Sequence, residues 1–178
     1  MSSVPLILSR MPKKIGTYYE PLFGGGAVFF ALVRAGRIKK AVISDTNREL
    51  IETLRAIRER VEIVANSLRK FGDNATREAY STVCEMKPNG IFDTAARVIF
   101  LNRTCYNGLY RVNKDGRFNS PWGKVERFSA DVENLEAVSK ALQGVQILCQ
   151  PYQSVVDDAV KGDVVYFDPP YFPTSDTS

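Results

Sequence analysis

Residues 17–30 read Thr17-Tyr-Tyr-Glu-Pro-Leu-Phe-Gly-Gly-Gly-Ala-Val-Phe-Phe30, and this stretch decides the fold class. It predicts a strand, a turn of three glycines (24–26) and the start of an apolar helix. Glycines in such a turn let the backbone approach a ligand closely, and the helix N–H groups then point at that ligand. The dinucleotide fingerprint G-x-G-x-x-G fits poorly, because Phe29 stands where its third glycine belongs.

A second strand, Lys40-Ala-Val-Ile-Ser-Asp45, ends in an acid. Asp45 lies 19 residues after Gly26, the separation at which a strand-end carboxylate reaches a ribose hydroxyl. The alternative is that Asp45 only flanks a helix start, since residues 46–49 (Thr-Asn-Arg-Glu) fit a capping box. Together the glycine turn and Asp45 predict a nucleoside cofactor and do not favour NAD.

A third strand runs straight into a proline turn, in the sequence Asp163-Val-Val-Tyr-Phe-Asp-Pro-Pro-Tyr171. This combination suits a base whose exocyclic amine must become a nucleophile, because the lone pair of the amine is conjugated into the ring. The Asp168 carboxylate and the Pro169 carbonyl can accept hydrogen bonds from the amine, in a loop that the prolines hold rigid. Tyr171 can stack on the base. We therefore predict that Asp168, Pro169, Pro170 and Tyr171 are catalytic; the alternative is a plain Pro-Pro turn with a partly buried tyrosine.

Apolar periodicity places helices between these strands. A stripe with spacings of three and four predicts a long core-packed helix that ends near Gly72; its members are Leu50, Leu54, Ile57, Val61, Val64 and Leu68. We predict further helices near residues 76–87, 92–103 and 131–142, a hairpin turn at residues 114–116, and a strand at 145–149 that buries Cys149. The alternation predicts an α/β fold with a Rossmann-like, doubly wound, mainly parallel sheet, whose ligands bind at the carboxyl ends of the strands.

The composition excludes several kinds of site. The chain of 178 residues has no histidine, so His-based acid–base catalysis and a His-containing zinc site are excluded, and we expect no metal. Its three cysteines are far apart and odd in number, which predicts reduced thiols in a cytoplasmic protein. No apolar run approaches the length of a membrane span, so we expect no membrane partner.

Between residues 97 and 127 the sequence carries seven basic and two acidic residues, with five aromatic residues interleaved. Basic side chains neutralise phosphates and aromatic rings stack on bases, so the segment predicts a nucleic-acid surface. The alternative is a solvated loop face with a few aromatics packed inward. The basic residues are Arg97, Arg103, Arg111, Lys114, Arg117, Lys124 and Arg127.

Taken in order, these motifs resemble the Dam-type (D12 class) adenine-N6 DNA methyltransferases, and the likeness runs from Pro12 to Ser178. In that family the glycine turn follows Glu-Pro, as Glu20-Pro21 does here, and the Asp-Pro-Pro-Tyr loop looks the same. Residues 101–113 and 118–124 are similar to the family's target-recognition insert. The resemblance implies S-adenosylmethionine as the cofactor, double-stranded DNA as the partner, and methyl transfer to N6 of a flipped-out adenine.

The resemblance also assigns residues to sites. It implies a cofactor site formed by Glu20, Leu22, Phe23, Gly24, Gly26, Asp45 and Asp168. It implies DNA contacts from Arg103, Tyr106, Asn107, Leu109, Arg111, Asn113, Asn119, Pro121 and Lys124. Leu22 stands where the family usually has phenylalanine, with Phe23 beside it, and Lys124 stands where a relative carries arginine.

Within the insert, the resemblance implies distinct tasks. Tyr106 and Asn107 would help to part the strands, and Arg111 would read a guanine through a bidentate contact. Leu109 and Pro121 would offer apolar contacts to a thymine methyl group. Together these tasks imply a GATC-like recognition site.

The same comparison divides the chain and predicts that it is a fragment. Residues 1–72 and 143–178 would form a partial cofactor-binding catalytic domain, and residues 73–142 the helical and hairpin recognition insert. The family's opening Lys-Trp-Ala-Gly-Gly-Lys-like segment is not found before Pro12, and the family continues beyond the catalytic loop. We therefore expect a sheet that is incomplete at the C-terminus and weak or no activity alone, with a complementary C-terminal fragment as a candidate partner. Two alternatives are a cytosine-N4 DNA methyltransferase and a catalytically inactive DNA-binding remnant.

Overall fold

A computed structural model describes residues 3–114, 117–125 and 127–169 of the chain. Within these residues there are four strands, which are β1 (Thr17–Glu20), β2 (Lys40–Ser44), β3 (Gln146–Leu148) and β4 (Val164–Val165). The helices are α1 (Val4–Arg10), α2 (Ala27–Arg34), α3 (Arg48–Arg69), α4 (Arg77–Glu85), α5 (Gly90–Thr104), α6 (Val132–Ala141) and α7 (Gln153–Val156), with a 3-10 turn at Tyr106–Gly108. Every strand and helix that the sequence predicts is present.

The four strands form one parallel sheet in the order β3-β2-β1-β4. Tyr18 in the centre of β1 is in register with Ala41 of β2 and with Val164 of β4. Both β1 and β2 are buried over nearly their whole length, which is typical of parallel strands covered on both faces. The α/β, Rossmann-like fold is therefore confirmed. Parallel strands end at one edge of the sheet, so the residues that follow β1, β2 and β4 lie along the same edge.

The chain divides into two compact units, and the first consists of residues 1–47 with 144–178. Its core includes the fully buried side chains of Tyr18, Phe29, Leu32 and Ile43. The sequence analysis did not predict α1, whose residues are all at least partly exposed. The Arg37 guanidinium caps the C-terminal end of this helix, because it donates hydrogen bonds to the carbonyls of residues 8, 11 and 12.

The second unit, residues 48–143, packs α3 against α5 and α6. The predicted stripe of α3 is confirmed, with Leu54, Ile57, Val64 and Leu68 buried. Arg60 interrupts the helix with φ −148° and ψ 65°, so α3 consists of two helical segments. The apolar stripe does not reveal this break.

The predicted recognition segment, in the second unit, contains a short antiparallel hairpin. Val112 is bridged to Phe118, and backbone hydrogen bonds join residue 113 to 117 and residue 119 to 111. These pairs flank the predicted turn at residues 114–116. Residues 115 and 116 themselves lie outside the described part of the chain.

Cys149 was expected in a buried strand, but β3 ends at Leu148 and the Cys149 side chain is exposed, so that prediction is wrong. The predicted catalytic domain included residues 48–72, whereas α3 packs within the second unit; the assignment of a function to each part remains a prediction. Across the described residues, we find no helix with the length and apolar character needed to cross a membrane.

Candidate functional site

The glycine turn is open to solvent on one side and filled on the other. Gly24 and Gly26 have φ values of +48° and +62°, a left-handed conformation that glycine adopts without a steric penalty. Gly24 and Gly25 are exposed, with nothing within 4 Å of where a side chain would begin. A Cβ atom on Gly26 would lie 2.2 Å from the Phe23 ring. The open side therefore offers bare backbone at the start of α2, as a cofactor phosphate, sugar or methionine group would require.

Phe23 supports this turn from within the unit. Its side chain is 3% exposed, and its ring centroid lies 5.7 Å from that of Phe29 and 6.1 Å from that of Phe30. The neighbouring Leu22 is half-buried. Of the two predicted cofactor contacts, Leu22 is thus the more accessible, and Phe23 shapes the turn beneath Gly26.

The Asp45 carboxylate joins the glycine turn to the end of β2. One oxygen (Oδ2) accepts a hydrogen bond from the Gly24 N–H at 3.0 Å, and the other (Oδ1) accepts one from the Asn47 N–H at 2.8 Å. The second bond is an Asx turn, so Asp45 does contribute to the approach to α3. Each carboxylate oxygen still has a free acceptor position. The half-buried group can therefore hold the turn and accept a hydroxyl from a ligand.

Glu20, at the end of β1, is almost fully buried, with 2% of its surface exposed. Its Oε2 atom accepts hydrogen bonds from the Tyr18 hydroxyl at 2.7 Å and from the Phe29 N–H at 3.1 Å. Burial raises the pKa of Glu20 to about 7, the two hydrogen bonds oppose this rise, and the negative charge of Asp168 adds to it. The structure thus brings Glu20 and Asp168 close enough to interact electrostatically.

The predicted catalytic loop follows β4. The Tyr166 N–H donates to the Tyr19 carbonyl at 2.8 Å, which continues the pairing with β1 beyond Val165. Asp168 and Pro169 follow and are exposed. The predicted catalytic residues Pro170 and Tyr171 lie outside the described residues.

Asp163 fixes the other end of β4, a role that the sequence analysis did not foresee. Its Oδ1 atom accepts from the Thr17 N–H at 2.7 Å and its Oδ2 atom from the Val160 N–H at 3.1 Å. These backbone hydrogen bonds, the Thr17 bond foremost, lower the pKa of Asp163. The carboxylate sets the register of β4 beside β1 and thereby positions the loop that follows.

The sequence analysis also missed an exposed aromatic pair beside the predicted catalytic loop. Tyr152, just after β3, and Phe167, just before Asp168, are 43% and 45% exposed. Their rings meet edge to face at a centroid distance of 5.8 Å. Exposed rings at the carboxyl edge of the sheet are candidates to pack against a cofactor base. The sequence signal was an aromatic residue at each of two strand ends.

All nine predicted DNA-binding residues are exposed in the second unit. The backbone ties the 3-10 turn to the segment after the hairpin, because the Tyr106 N–H donates to the Pro121 carbonyl at 2.9 Å. Tyr106 is 56% exposed, and Asn107 has the left-handed φ of 54°. Tyr106, Asn107 and Pro121 are therefore presented together. They remain predicted contacts.

The exposed cations of this segment differ in how much the protein already uses them. The Arg103 guanidinium lies 5.4 Å above the Phe128 ring and donates to the Ser129 carbonyl at 2.8 Å. Among the described residues, none accepts a hydrogen bond from the Arg111 side chain, although its backbone N–H donates to Ser120 Oγ at 3.1 Å. Arg111 is therefore held by its backbone with its guanidinium available to a ligand.

Arg97 belongs to the predicted basic surface by sequence, but the structure places it elsewhere. Its side chain is 8% exposed and donates to the carbonyls of Val83 (3.0 Å) and Cys84 (2.9 Å). It also lies 3.8 Å from the Glu49 carboxylate, which accepts the Tyr110 hydroxyl. A buried, fully used arginine cannot neutralise a phosphate, so Arg97 is a structural residue.

Comparisons with known proteins identify what this chain is similar to. The family described as D12 class N6 adenine-specific DNA methyltransferase matches residues 2–178, so the match begins ten residues before Pro12. The Type II methyltransferase M.MjaIII of Methanocaldococcus jannaschii is 40% identical over 97% of this chain and 66% of that protein. The Type II methyltransferase M1.LlaDCHI of Lactococcus lactis subsp. cremoris is 36% identical over 98% of this chain and 63% of that protein. The DNA N-6-adenine-methyltransferase of Escherichia phage P1 is 35% identical over 89% of this chain and 21% of that protein. The chain thus spans about two thirds of the length of the first two relatives.

Proposed function

Because this chain belongs to the D12 class of N6 adenine-specific DNA methyltransferases, we propose that it binds S-adenosylmethionine and double-stranded DNA and methylates N6 of an adenine. The observation that carries the proposal is that Glu20, Asp45 and Asp168 stand at or after the ends of neighbouring strands on the carboxyl edge of the sheet, beside an open glycine turn that donates a hydrogen bond to Asp45. The family is adenine-specific, which favours adenine over the cytosine alternative.

The residues of the first unit fit the proposed cofactor. Gly24 and Gly25 leave room for a ligand against the backbone, and Asp45 retains acceptor positions for ribose hydroxyls. Tyr152 and Phe167 offer exposed rings to the adenine of the cofactor. When bound, S-adenosylmethionine supplies an electrophilic methyl group.

The catalytic loop would then prepare the target amine. The exposed Asp168 carboxylate and the Pro169 carbonyl are acceptors for the two N–H bonds of the adenine N6 group. These hydrogen bonds draw the nitrogen lone pair out of conjugation and orient it, so positioning and fixed dipoles supply most of the catalysis. Asp168 need not be a strong base, because a methylated ammonium loses its proton readily.

The adenine must leave the duplex to reach this loop, at a cost of about a few kcal/mol in stacking and pairing. In our proposal Tyr106 and Asn107 help to part the strands, while Arg111 reads a guanine, with Leu109 and Pro121 beside a thymine methyl group. The exposure of all five side chains supports these roles. A GATC-like site is the sequence proposed.

Calorimetry with S-adenosylmethionine tests whether the chain binds the proposed cofactor, and it distinguishes this proposal from the inactive remnant, which would not bind it. We expect the 178-residue chain to bind the cofactor and Asp45→Asn to weaken binding by about tenfold, since one lost charged hydrogen bond is worth roughly 1.5 kcal/mol. Asp157→Asn, an exposed change in the same unit, is the matched control and should bind normally. The absence of detectable binding at millimolar S-adenosylmethionine would refute the proposed cofactor binding and favour the inactive remnant.

Product analysis on duplex DNA tests the chemical half. Wild-type chain should yield N6-methyladenine in a GATC-containing duplex, and Asp168→Ala should abolish the formation of that product. We also propose that the protein is cytoplasmic. Formation of N4-methylcytosine without N6-methyladenine would instead establish the cytosine alternative.

A further inference from the structure

Two depressions in the second unit share Arg77 and Trp122 in their walls. One has a volume of about 420 Å³ and is also lined by Tyr80 and Lys124. The other has a volume of about 490 Å³ and is also lined by Glu78 and Arg127. We call the area formed by Arg77, Trp122, Lys124 and Arg127 the Trp122 surface.

The Trp122 surface carries an excess of unpaired positive charge. The side chains of Arg77, Lys124 and Arg127 are all exposed, and none forms an ion pair with an acid among the described residues. Glu78 is the one acid that lines either depression, and Glu126 lies outside the described residues. Among the described residues, this concave surface thus has three cations and one carboxylate, an excess of positive charge that attracts an extended anion.

The backbone under this surface is fixed by hydrogen bonds. The Trp122 indole N–H donates to the Ala75 carbonyl at 3.0 Å, and residue 74 is bridged to residue 127. The Phe128 N–H donates to the Asp73 carbonyl at 2.9 Å. Lys124 adopts the left-handed φ of 57°, which a non-glycine residue holds only where its surroundings impose it. The segment before α4 and the segment after the hairpin thus form one frame that presents all three cations.

From this arrangement we propose that the Trp122 surface binds the phosphodiester backbone of duplex DNA, and that Arg77 on α4 is a phosphate contact. The inference rests on the proposed function and extends it. Arg77 lies outside the predicted recognition residues, and Arg127 becomes a member of a defined site. Contacts to phosphate position a protein on DNA and neutralise charge without reading sequence.

Fluorescence anisotropy with two labelled duplexes, one with and one without a GATC site, tests the inference. Binding is measured between about 50 and 200 mM salt for the wild-type chain and for Arg77→Gln. The loss of one phosphate contact should reduce the slope of log K against log salt by about 0.9 on both duplexes. The ratio of the two affinities should stay unchanged, whereas Arg111→Ala should reduce that ratio and relax specificity at one base pair.

Two further variants isolate the charge of Arg77. Arg77→Lys keeps the charge, so its salt slope should match that of the wild-type chain. Arg48→Gln removes an exposed arginine that pairs with Glu52 on α3, outside the Trp122 surface, and should also leave the slope unchanged. Far-UV circular dichroism verifies that each variant folds.

Trp122 supplies a readout that needs no variant, because it is the single tryptophan of the chain. DNA binding at the Trp122 surface should quench its fluorescence at the stoichiometry that anisotropy gives. An unchanged slope for Arg77→Gln, or DNA binding that leaves Trp122 emission unaltered, overturns the inference and leaves the proposed function standing. Failure of the wild-type chain to bind either duplex at low salt overturns the proposed function itself.

Discussion

Burial makes Glu20, a predicted cofactor-site residue, a source of pH-dependent stability. Its carboxyl group lies under the glycine turn, where one oxygen closes the first turn of α2 through the Phe29 N–H. Burial favours the protonated form and raises its pKa from 4.5 to about 7. The ionised form is therefore the costly one in the folded protein, even though it accepts two hydrogen bonds.

We predict that the wild-type chain loses stability as pH rises. With a folded pKa above the unfolded value, the contribution of Glu20 is complete below about pH 4.5 and is lost as pH rises through about 7. The loss is on the order of 3 kcal/mol. The glutamine of Glu20→Gln does not titrate, so the free energy of unfolding of this variant should fall less between pH 5 and pH 8 than that of the wild-type chain. Urea denaturation of both proteins at the two pH values measures the difference.

The exposed Asp157 of the same unit supplies the control for this measurement. Asp157→Asn should leave the difference between the two pH values unchanged, because water solvates that side chain in both states. An equal pH dependence in the wild-type chain and in Glu20→Gln would show that Glu20 does not titrate in this range.

The hairpin is an element that depends on a hydrogen-bond network at its base. Tyr110 packs its ring 4.8 Å from Phe118 across the hairpin and donates its hydroxyl to Glu49 at the start of α3. Glu49 in turn lies 3.8 Å from the buried Arg97 of α5. The network joins three elements of the second unit and holds the backbone that carries Arg111.

Removing the Tyr110 hydroxyl should weaken this element measurably. Tyr110→Phe deletes a half-buried hydrogen bond to a carboxylate, so we predict a loss of roughly 1.5 kcal/mol in the free energy of unfolding. Denaturation followed by Trp122 fluorescence measures it, because Trp122 lies in the same unit. Tyr106→Phe is the matched control, since that ring is 56% exposed, and it should change stability by less than about 0.5 kcal/mol. Equal effects of the two changes would contradict the bracing role.

Across the whole molecule, the sequence predicts features that depend on local pattern and on the edge of a parallel sheet. The glycine turn, the strand-end acids Glu20, Asp45 and Asp168, and the stripe of α3 all follow from such patterns. The sequence does not reveal interactions between distant residues. The Arg37 guanidinium donates hydrogen bonds to carbonyls at the end of α1, more than 20 residues earlier in the chain. The Asp163 carboxylate accepts a hydrogen bond from the Thr17 N–H, 146 residues away in the sequence.

The sequence alone also does not show which basic side chains are free to bind a ligand, because that depends on their burial and not on their residue type. Arg97 and Arg111 belong to one basic segment by sequence, but the first is buried and bonded whereas the second is exposed and available. Arg77 lies outside that segment and nevertheless shares a surface with Lys124. A count of charges along the chain therefore shows only approximately which cations are accessible to a ligand.

The two compact units each have a core, so a ligand held by one unit should stabilise that unit first. S-adenosylmethionine at 100 times its dissociation constant should add about 2.7 kcal/mol to the stability of the unit that binds it. We predict that the cofactor raises the thermal transition seen by far-UV circular dichroism, which includes the sheet of the first unit. The transition reported by Trp122 fluorescence, in the second unit, should rise less.

A Trp122 transition that shifts as much as the circular dichroism signal, or more, would mean that the two units unfold together or that the cofactor binds elsewhere. Asp45→Asn distinguishes these outcomes, because it should reduce both shifts only if the first unit holds the cofactor.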